Sequence, residues 1–365
     1  MLTPVISQFS IPGTMVKAER FGSGLINDTY LCEFSEAGET RKYILQRINT
    51  AVFRQPGQVM ENVDVVTTHI ADRLRALGVS DPYSVTPALI RTRDHASYYR
   101  DASGAYWRMF HFIELGVVFD RIIDAGHAYE IGRGLGRFQF LVSDLEPGKL
   151  HDTLPGFHHT PGYLAEYDEA LKKNRGRALE AGAEAAFVSR RRALVPLLTD
   201  LMSRGELPLR VVHNDPKVNN FMIHKTTREA LCMLDLDTVK AGIAHFDFGD
   251  CVRSAANRAG EDAEDLGAVT FDLPLFEAVT RGYLRETDAF LAKKEIELLP
   301  ASVKVLTFEL GIRFLADYLR GDTYFKVRYP AHNLHRARVQ FKLLESIEAA
   351  EERMVSMVRD ITGRS

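Results

Sequence analysis

In His213-Asn214-Asp215-Pro216-Lys217-Val218-Asn219-Asn220, followed by Leu234-Asp235-Leu236-Asp237, carboxylates, an ammonium group and an amide stand in a fixed order. Lys217 lies two positions after Asp215, Asn220 five and Asp235 twenty. Such a set suits transfer of a γ-phosphoryl group from a nucleoside triphosphate: one carboxylate faces the acceptor hydroxyl while other groups hold metal and phosphate in line with it. Asp215 takes the role of base, and Lys217 meets the transferred group. Asn220 offers a neutral oxygen and Asp235 an anionic one to a hard cation. ATP and Mg²⁺ are the expected cofactors. Any one of these residues alone reads as a cap or turn residue, but four in order, separated by apolar strand-like runs, point to a kinase.

These groups need elements to hold them. Phe221–His224 and 230–234 are apolar and flank the polar Lys225-Thr226-Thr227-Arg228-Glu229, a pattern that predicts a β-hairpin bringing Asn220 and Asp235 to one metal. Phe21-Gly22-Ser23-Gly24-Leu25-Ile26-Asn27-Asp28 before Thr29–Phe34 predicts a strand, a tight loop and a return strand. Gly22 and Gly24 supply two glycines of a phosphate-covering loop, and Asn27 stands at the place of a third. In Tyr43–Ile48, a predicted buried strand, protein kinases carry a lysine for the α- and β-phosphates, and here that place holds Gln46. Either the lysine is dispensable or Arg47 or Lys42 replaces it. Met60, Val63, Val66, Ile70, Leu74 and Leu77 recur at helical spacing before Gly78, and Glu61 on that helix is either directed at the phosphates or a solvated carboxylate. Tyr106–Glu114 reads as a strand ending in a hinge, whose backbone at Phe112 and Ile113 is placed to meet adenine.

From about residue 127 the pattern becomes helical, through Ile131, Leu135 and Phe138 and again across 163–202. Residues 147–161 carry His151, His158 and His159 without carboxylates at metal-ligand spacing, and read as a polar connecting loop. Helical sequence returns from about 260 to 359. The expected organisation is a nucleotide-binding lobe over 1–113 and a catalytic and substrate-binding lobe over 114–365.

Composition sets bounds. The 365 residues are 45% hydrophobic and 26% charged with a net charge of −3, ordinary for a soluble globular protein. Basic runs are short and have acidic neighbours, so neither nucleic acid nor a membrane surface is expected as a partner. Cys32, Cys232 and Cys251 are odd in number and irregularly spaced, which fits a reducing cytoplasm. No apolar run approaches the roughly 18 residues of a membrane span. Oligomeric state is not legible, and a monomer is compatible with all of this.

With Asp215, Asn220 and Asp235 goes His245-Phe246-Asp247-Phe248-Gly249-Asp250-Cys251-Val252-Arg253, and together they make the chain resemble the aminoglycoside phosphotransferase and choline kinase superfamily. Tyr43–Gln46 with Asn49-Thr50, Trp107-Arg108 with Phe112-Ile113-Glu114, 209–213, and Arg313–Leu319 with Tyr324-Phe325 and Tyr329-Pro330 resemble its N-acetylhexosamine 1-kinases in particular. The resemblance implies an α+β, bilobal protein-kinase-like fold, a small β-rich lobe and a larger helical one. It implies transfer of the ATP γ-phosphate to the anomeric hydroxyl of N-acetylglucosamine or N-acetylgalactosamine. It assigns Asp215 as base, Asn220 and Asp235 as magnesium ligands, and His213, Asp215, Asp250, Arg253, Arg313 and Tyr324 to the sugar. Arg313 and Asp317, four residues apart, have the alternative of a helix-surface ion pair. Leu25 and Asp28 depart from the hexosamine pattern, leaving acceptor preference open. Choline, homoserine, methylthioribose, aminoglycosides and other sugars stay possible acceptors, with Asp237, Asp250, Glu261, Asp262, Glu264 and Asp265 as an acidic set for a cation. A metal-dependent phosphohydrolase built on His213, Asp215, His224, Asp235, His245 and Asp247, or a nucleotide-binding pseudokinase, are the other classes.

Overall fold

The computed structural model describes residues 2–22 and 26–363. A short helix, α1 (Thr3–Ile6), leads into three antiparallel strands, β1 (Thr14–Arg20), β2 (Asp28–Glu36) and β3 (Glu39–Arg47). The long α2 (Pro56–Ala76) follows, then β4 (Leu89–Ile90), β5 (Tyr99–Arg100) and β6 (Tyr106–His111). The sheet runs β1-β2-β3-β6-β4, with β5 paired to β6. In β3 the register sets Gln46 opposite Thr29 on one side and Arg108 on the other. Alternation then divides the sheet. Tyr43, Leu45, Trp107 and Met109 enter a core with Cys32 and Phe34, while Leu31, Ile44, Gln46, Arg108 and Phe110 share the opposite face.

Beyond Ile113 come β7 (Gly116–Val118), α3 (Ala125–Leu141), α4 (Thr160–Lys173), α5 (Arg175–Glu180), α6 (Gly182–Arg190) and α7 (Leu197–Ser203). Strands β8 (Arg210–Val212), β9 (Phe221–His224), β10 (Ala230–Met233) and β11 (Lys240–Gly242) form a three-stranded sheet, β10-β9-β7, and a β11-β8 pair. Five helices complete the chain: α8 (Ala244–Ala255), α9 (Leu273–Thr287), α10 (Lys293–Glu297), α11 (Leu299–Arg320) and α12 (His332–Thr362). The architecture is α+β, a β-sheet region beside a helical lobe, as the sequence led us to expect.

Small residues bring α3 against α9. A Cβ at Gly132 would lie 2.0 Å from Val279 O, and one at Gly282 2.0 Å from Tyr129 O, so the two backbones touch and carry the main core between them. Helix α2 is fastened to the helical lobe. Asn62 donates to His151 O at 2.9 Å and Val239 O at 3.0 Å, and accepts from the His151 N–H at 2.8 Å. Arg73 and His69 both meet Asp144, at 2.6 and 2.9 Å. Glu61 is taken up by His151 Nε2 at 2.6 Å on the exposed face, which accounts for its carboxylate without phosphate. No helix of the described residues is long and apolar enough to cross a membrane.

Candidate active site

Strand β8 ends at Val212, and the next two backbone N–H groups are captured by one carboxylate. His213 N donates to Asp247 Oδ2 at 2.9 Å and Asn214 N to Oδ1 at 2.7 Å. Asp247, fully buried on α8, also accepts from Gln139 Nε2 at 3.0 Å. Asn214 adopts φ 67°, a left-handed conformation that asparagine tolerates, and its amide donates to Thr238 O at 2.9 Å. The turn directs Asp215 away from the strand. The N–H of Asp215 donates to His213 Nδ1 at 3.2 Å, and His213 Nε2 donates to Leu234 O at 2.8 Å. Burial lowers the His213 pKa and keeps the ring neutral, Asp247 opposing. A sugar contact was expected for His213, but the residue is fully buried with both ring nitrogens committed inside the chain. It positions Asp215 and the strand end instead.

The expected hairpin is β9 and β10, and Leu234 N donates to Asn220 O at 2.7 Å beneath them. Around this bond the polar set converges. Lys217 Nζ lies 3.0 Å from Asp215 Oδ2, and Asn220 Nδ2 donates to Asp215 O at 2.7 Å and Oδ2 at 3.2 Å. Asn220 Oδ1 and the Asp235 carboxylate make no hydrogen bond or ion pair among the described residues, leaving hard oxygen donors on either side of the hairpin base. Desolvation raises the Asp215 pKa, with Lys217 pulling it down and Asp250 up. Burial works against the Lys217 charge, but Asp215, Asp235 and Glu261 outweigh it and raise its pKa. Asp235 is likewise raised, by desolvation and then by Asp237 and Asp215. Its side chain remains open to water, so screening moderates the effect.

On the nucleotide side, the strand residue in the lysine's place belongs to a network. Gln46 Oε1 accepts from Arg108 Nε at 2.9 Å, and Gln46 Nε2 donates to Thr29 Oγ1 at 3.2 Å. Arg108 forms a buried two-point pair with Asp237, its Nη2 3.0 Å from Oδ2. Asn27 Nδ2 donates to the same Oδ2 at 2.7 Å, and Asn27 Oδ1 accepts from Asn49 N at 3.0 Å. The side chains of Gln46 and Asn27, expected on the nucleotide, therefore tie the sheet and the glycine loop to the segment carrying Asp235. The substitutes considered for the lysine lie elsewhere: Lys42 reaches toward Glu114 and Phe112, and Arg47 is exposed. Gly22 has φ 73°, as a tight loop requires, whereas Gly24 and Leu25 lie outside the described residues. At the hinge the Phe112 N–H is spent on Lys42 O at 3.2 Å. The Phe112 carbonyl and the Ile113 N–H keep no partner among the described residues and are free to meet adenine.

The acceptor side holds residues that the sequence left in a connecting loop. His158, buried, donates from Nδ1 to Glu309 Oε1 at 2.8 Å and from Nε2 to Asn214 O at 3.0 Å. Burial disfavours its charge, yet Glu309, by charge and hydrogen bond, raises its pKa. Glu309 Oε2 also accepts from Thr160 at 2.6 Å. Arg253 is buried between Asp250, 2.7 Å away, and Glu261, 2.6 Å away. Its Nε and Nη1 are used and its side chain is 4% exposed, so it positions Asp250 rather than reaching the acceptor. Burial raises and Arg253 lowers the Asp250 pKa, to a net decrease aided by His158 and Lys217. Arg313 does not pair with Asp317. That carboxylate accepts from the N–H groups of Thr323, Tyr324 and Phe325, each at 2.9 Å, and from Asn333. Arg313 instead sits over Phe157, Tyr163 and Phe325, its guanidinium carbon 5.2, 4.8 and 5.6 Å from the ring centres. It has no anionic partner within bonding distance among the described residues. Tyr324 is 68% exposed at the rim, against Phe325. His224 and His245 lie apart from this site, bound to hairpin-turn amides and to Glu295 O, so the phosphohydrolase grouping is not assembled.

A phosphotransferase fold with an assembled Asp-Lys-Asn-Asp set is thus on hand. The model of the APH phosphotransferase enzyme family matches residues 17–289, and the chain belongs to that family. As a member it is a phosphotransferase. Among solved structures it is similar to a microcompartment-associated aminopropanol kinase, with a TM-score of 0.61, 17% identity and coverage of 99% of this chain and 98% of that one. Choline kinase from Cryptosporidium parvum Iowa II gives a TM-score of 0.56 at 13% identity over 93% and 91% of the two chains. Spectinomycin phosphotransferase, solved with ADP and spectinomycin, gives 0.55 at 12% identity over 93% and 94%. At these identities the likeness is one of fold.

Proposed function

We propose that the chain transfers the γ-phosphate of ATP to the anomeric hydroxyl of an N-acetylhexosamine, N-acetylglucosamine or N-acetylgalactosamine, with Mg²⁺ as cofactor. The supporting observation is the charge arrangement on the acceptor side. Asp250 and Glu261 are engaged by Arg253, and Glu309 by His158 and Thr160, while Arg313 stands among rings without an anion. A pocket for an ammonium acceptor needs carboxylates whose charge no cation of the chain already balances. This one offers an uncommitted guanidinium, which suits a neutral carbonyl such as an acetamide oxygen and repels a cation. The second oxygen of Asp250, unpartnered among the described residues, remains for a sugar hydroxyl. The sequence likeness to hexosamine kinases supports the same choice.

In this reading residues 1–113 hold the nucleotide and 114–365 the acceptor. Asp215 orients the anomeric hydroxyl and accepts its proton late, since that hydroxyl is more acidic than an ordinary alcohol. Lys217, beside Asp215, meets the developing charge on the transferred group. Asn220 Oδ1 and Asp235 would hold the Mg²⁺, which supplies charge neutralisation at the phosphates when bound. Phosphorus and proton NMR after incubation with Mg-ATP and N-acetylglucosamine tests the proposal, with the sugar 1-phosphate as expected product. Phosphate at another position, no product, or faster turnover of ethanolamine, choline or an aminoglycoside would overturn the sugar assignment and leave the kinase class standing.

A further inference from the structure

Away from the catalytic set, a cavity of about 230 Å³ lies between α2, the 79–87 segment, α3 and β10. Leu74, Val85, Phe138, Met233 and Leu236 give it apolar walls, and Arg137 lines it as well. The Arg137 guanidinium makes no hydrogen bond or ion pair among the described residues. Arg133, one turn earlier, and Glu229 line the cavity too; Arg133 is held by Glu130 at 2.8 Å and approached by Glu229 at 3.9 Å, so the Glu229 carboxylate is set against Arg133 and not against Arg137. A half-buried guanidinium beside an apolar cavity, with no anion of its own, is matched by a ligand that brings one.

We propose that this cavity binds a small monocarboxylic acid with a compact apolar body, its carboxylate on Arg137 and its body between Leu74, Phe138 and Leu236. The size fits, because a cavity of roughly 150 Å³ holds a six-membered aromatic ring, and the remainder accommodates the carboxylate. Two of the walls reach the catalytic machinery. The Phe138 ring meets the His213 ring edge-on with centroids 5.7 Å apart, and Leu236 directly follows Asp235. Occupancy holds both in place, so the acid and the nucleotide each tighten the other's binding by the same factor.

Benzoate serves as the probe, with benzamide as its uncharged isostere and inorganic phosphate as an anion without an apolar body. Calorimetry on the full chain is expected to give saturable benzoate binding, at least tenfold weaker binding of benzamide, and no binding of phosphate at this site. In Arg137→Gln, benzoate affinity falls at least tenfold while thermal melting and basal ATP turnover match wild type, which separates a lost ligand contact from a lost fold. The affinity for ADP rises at least threefold in saturating benzoate with wild type and is unchanged with Arg137→Gln. Equal binding of benzoate and benzamide, or full benzoate affinity in the variant, overturns the site. Binding of benzoate with no change in ADP affinity overturns the coupling.

Discussion

Asp215 sits between a cation that favours its charge and a buried setting that opposes it. Its hydrogen bonds come from Asn220 and its ion pair from Lys217, so an isosteric amide removes the proposed base without removing the shape. Asp215→Asn is expected to fold with an unchanged or higher melting temperature, because a carboxylate that burial disfavours is gone. Turnover falls by about 10³-fold, within the range for losing a general base. Steady-state kinetics beside a thermal melt decides this, and near-wild-type turnover would remove Asp215 from the mechanism. Arg313 permits a complementary test. With no anion of its own and rings on several sides, Arg313→Met retains apolar contact and loses only the donors. The expectation is a KM for N-acetylglucosamine raised about tenfold or more with the KM for ATP unchanged. A rise in both would make Arg313 a structural residue.

At the scale of elements, the link between sheet and catalytic strand is the pair of Arg108 on β6 and Asp237 after β10, 2% and 1% exposed. Removing one partner of a buried pair leaves a charge without compensation, at about 3–5 kcal/mol. Asp237→Ala should therefore lose stability of that order in urea unfolding, while Arg108→Met with Asp237→Leu should lose much less. Equal losses would show that the pair has no special cost when broken. This link also marks the limit of sequence reading. Asp215, Lys217, Asn220 and Asp235 were legible because a loop and a hairpin of local register place them, and α2 because its apolar period and Gly78 bound it. Arg108 and Asp237 lie 129 residues apart, and such a contact leaves no periodicity in the chain. Gln46 and Asn27 were noticed for the right strand and loop, but their partners were not readable from either. Asp247 was read as part of a motif and as one ligand of the phosphohydrolase alternative. Its task of accepting two successive backbone N–H groups could have been suspected from a carboxylate set in the otherwise apolar start of α8. His158 lay in a stretch read as a connector, since nothing local connects it to Glu309, 151 residues on.

For the molecule as a whole, buried titratable groups act against one another in stability. His245, fully buried, donates from Nε2 to Glu295 O at 2.8 Å, and burial pushes its pKa down to about 4. The unfolded chain, with an ordinary histidine near 6.5, binds this proton more readily, so His245 contributes stability above about pH 6.5 that is lost as the pH falls toward 4. His111, His127, His213 and His332 are depressed as well and add to the same slope. Asp215, Asp235 and Asp247 are raised, so the folded state holds their protons longer and they reverse that slope over the acidic range. The wild-type profile is a sum of these opposed contributions, and a difference between two proteins isolates one of them. Between about pH 4.5 and 6, the slope of unfolding free energy against pH should be lower in His245→Gln than in wild type by close to one proton, about 1.4 kcal/mol per pH unit. Urea unfolding at half-unit intervals in EDTA measures it. Parallel profiles for the two proteins would mean that His245 titrates alike folded and unfolded, and that its burial in the helical lobe carries no proton linkage.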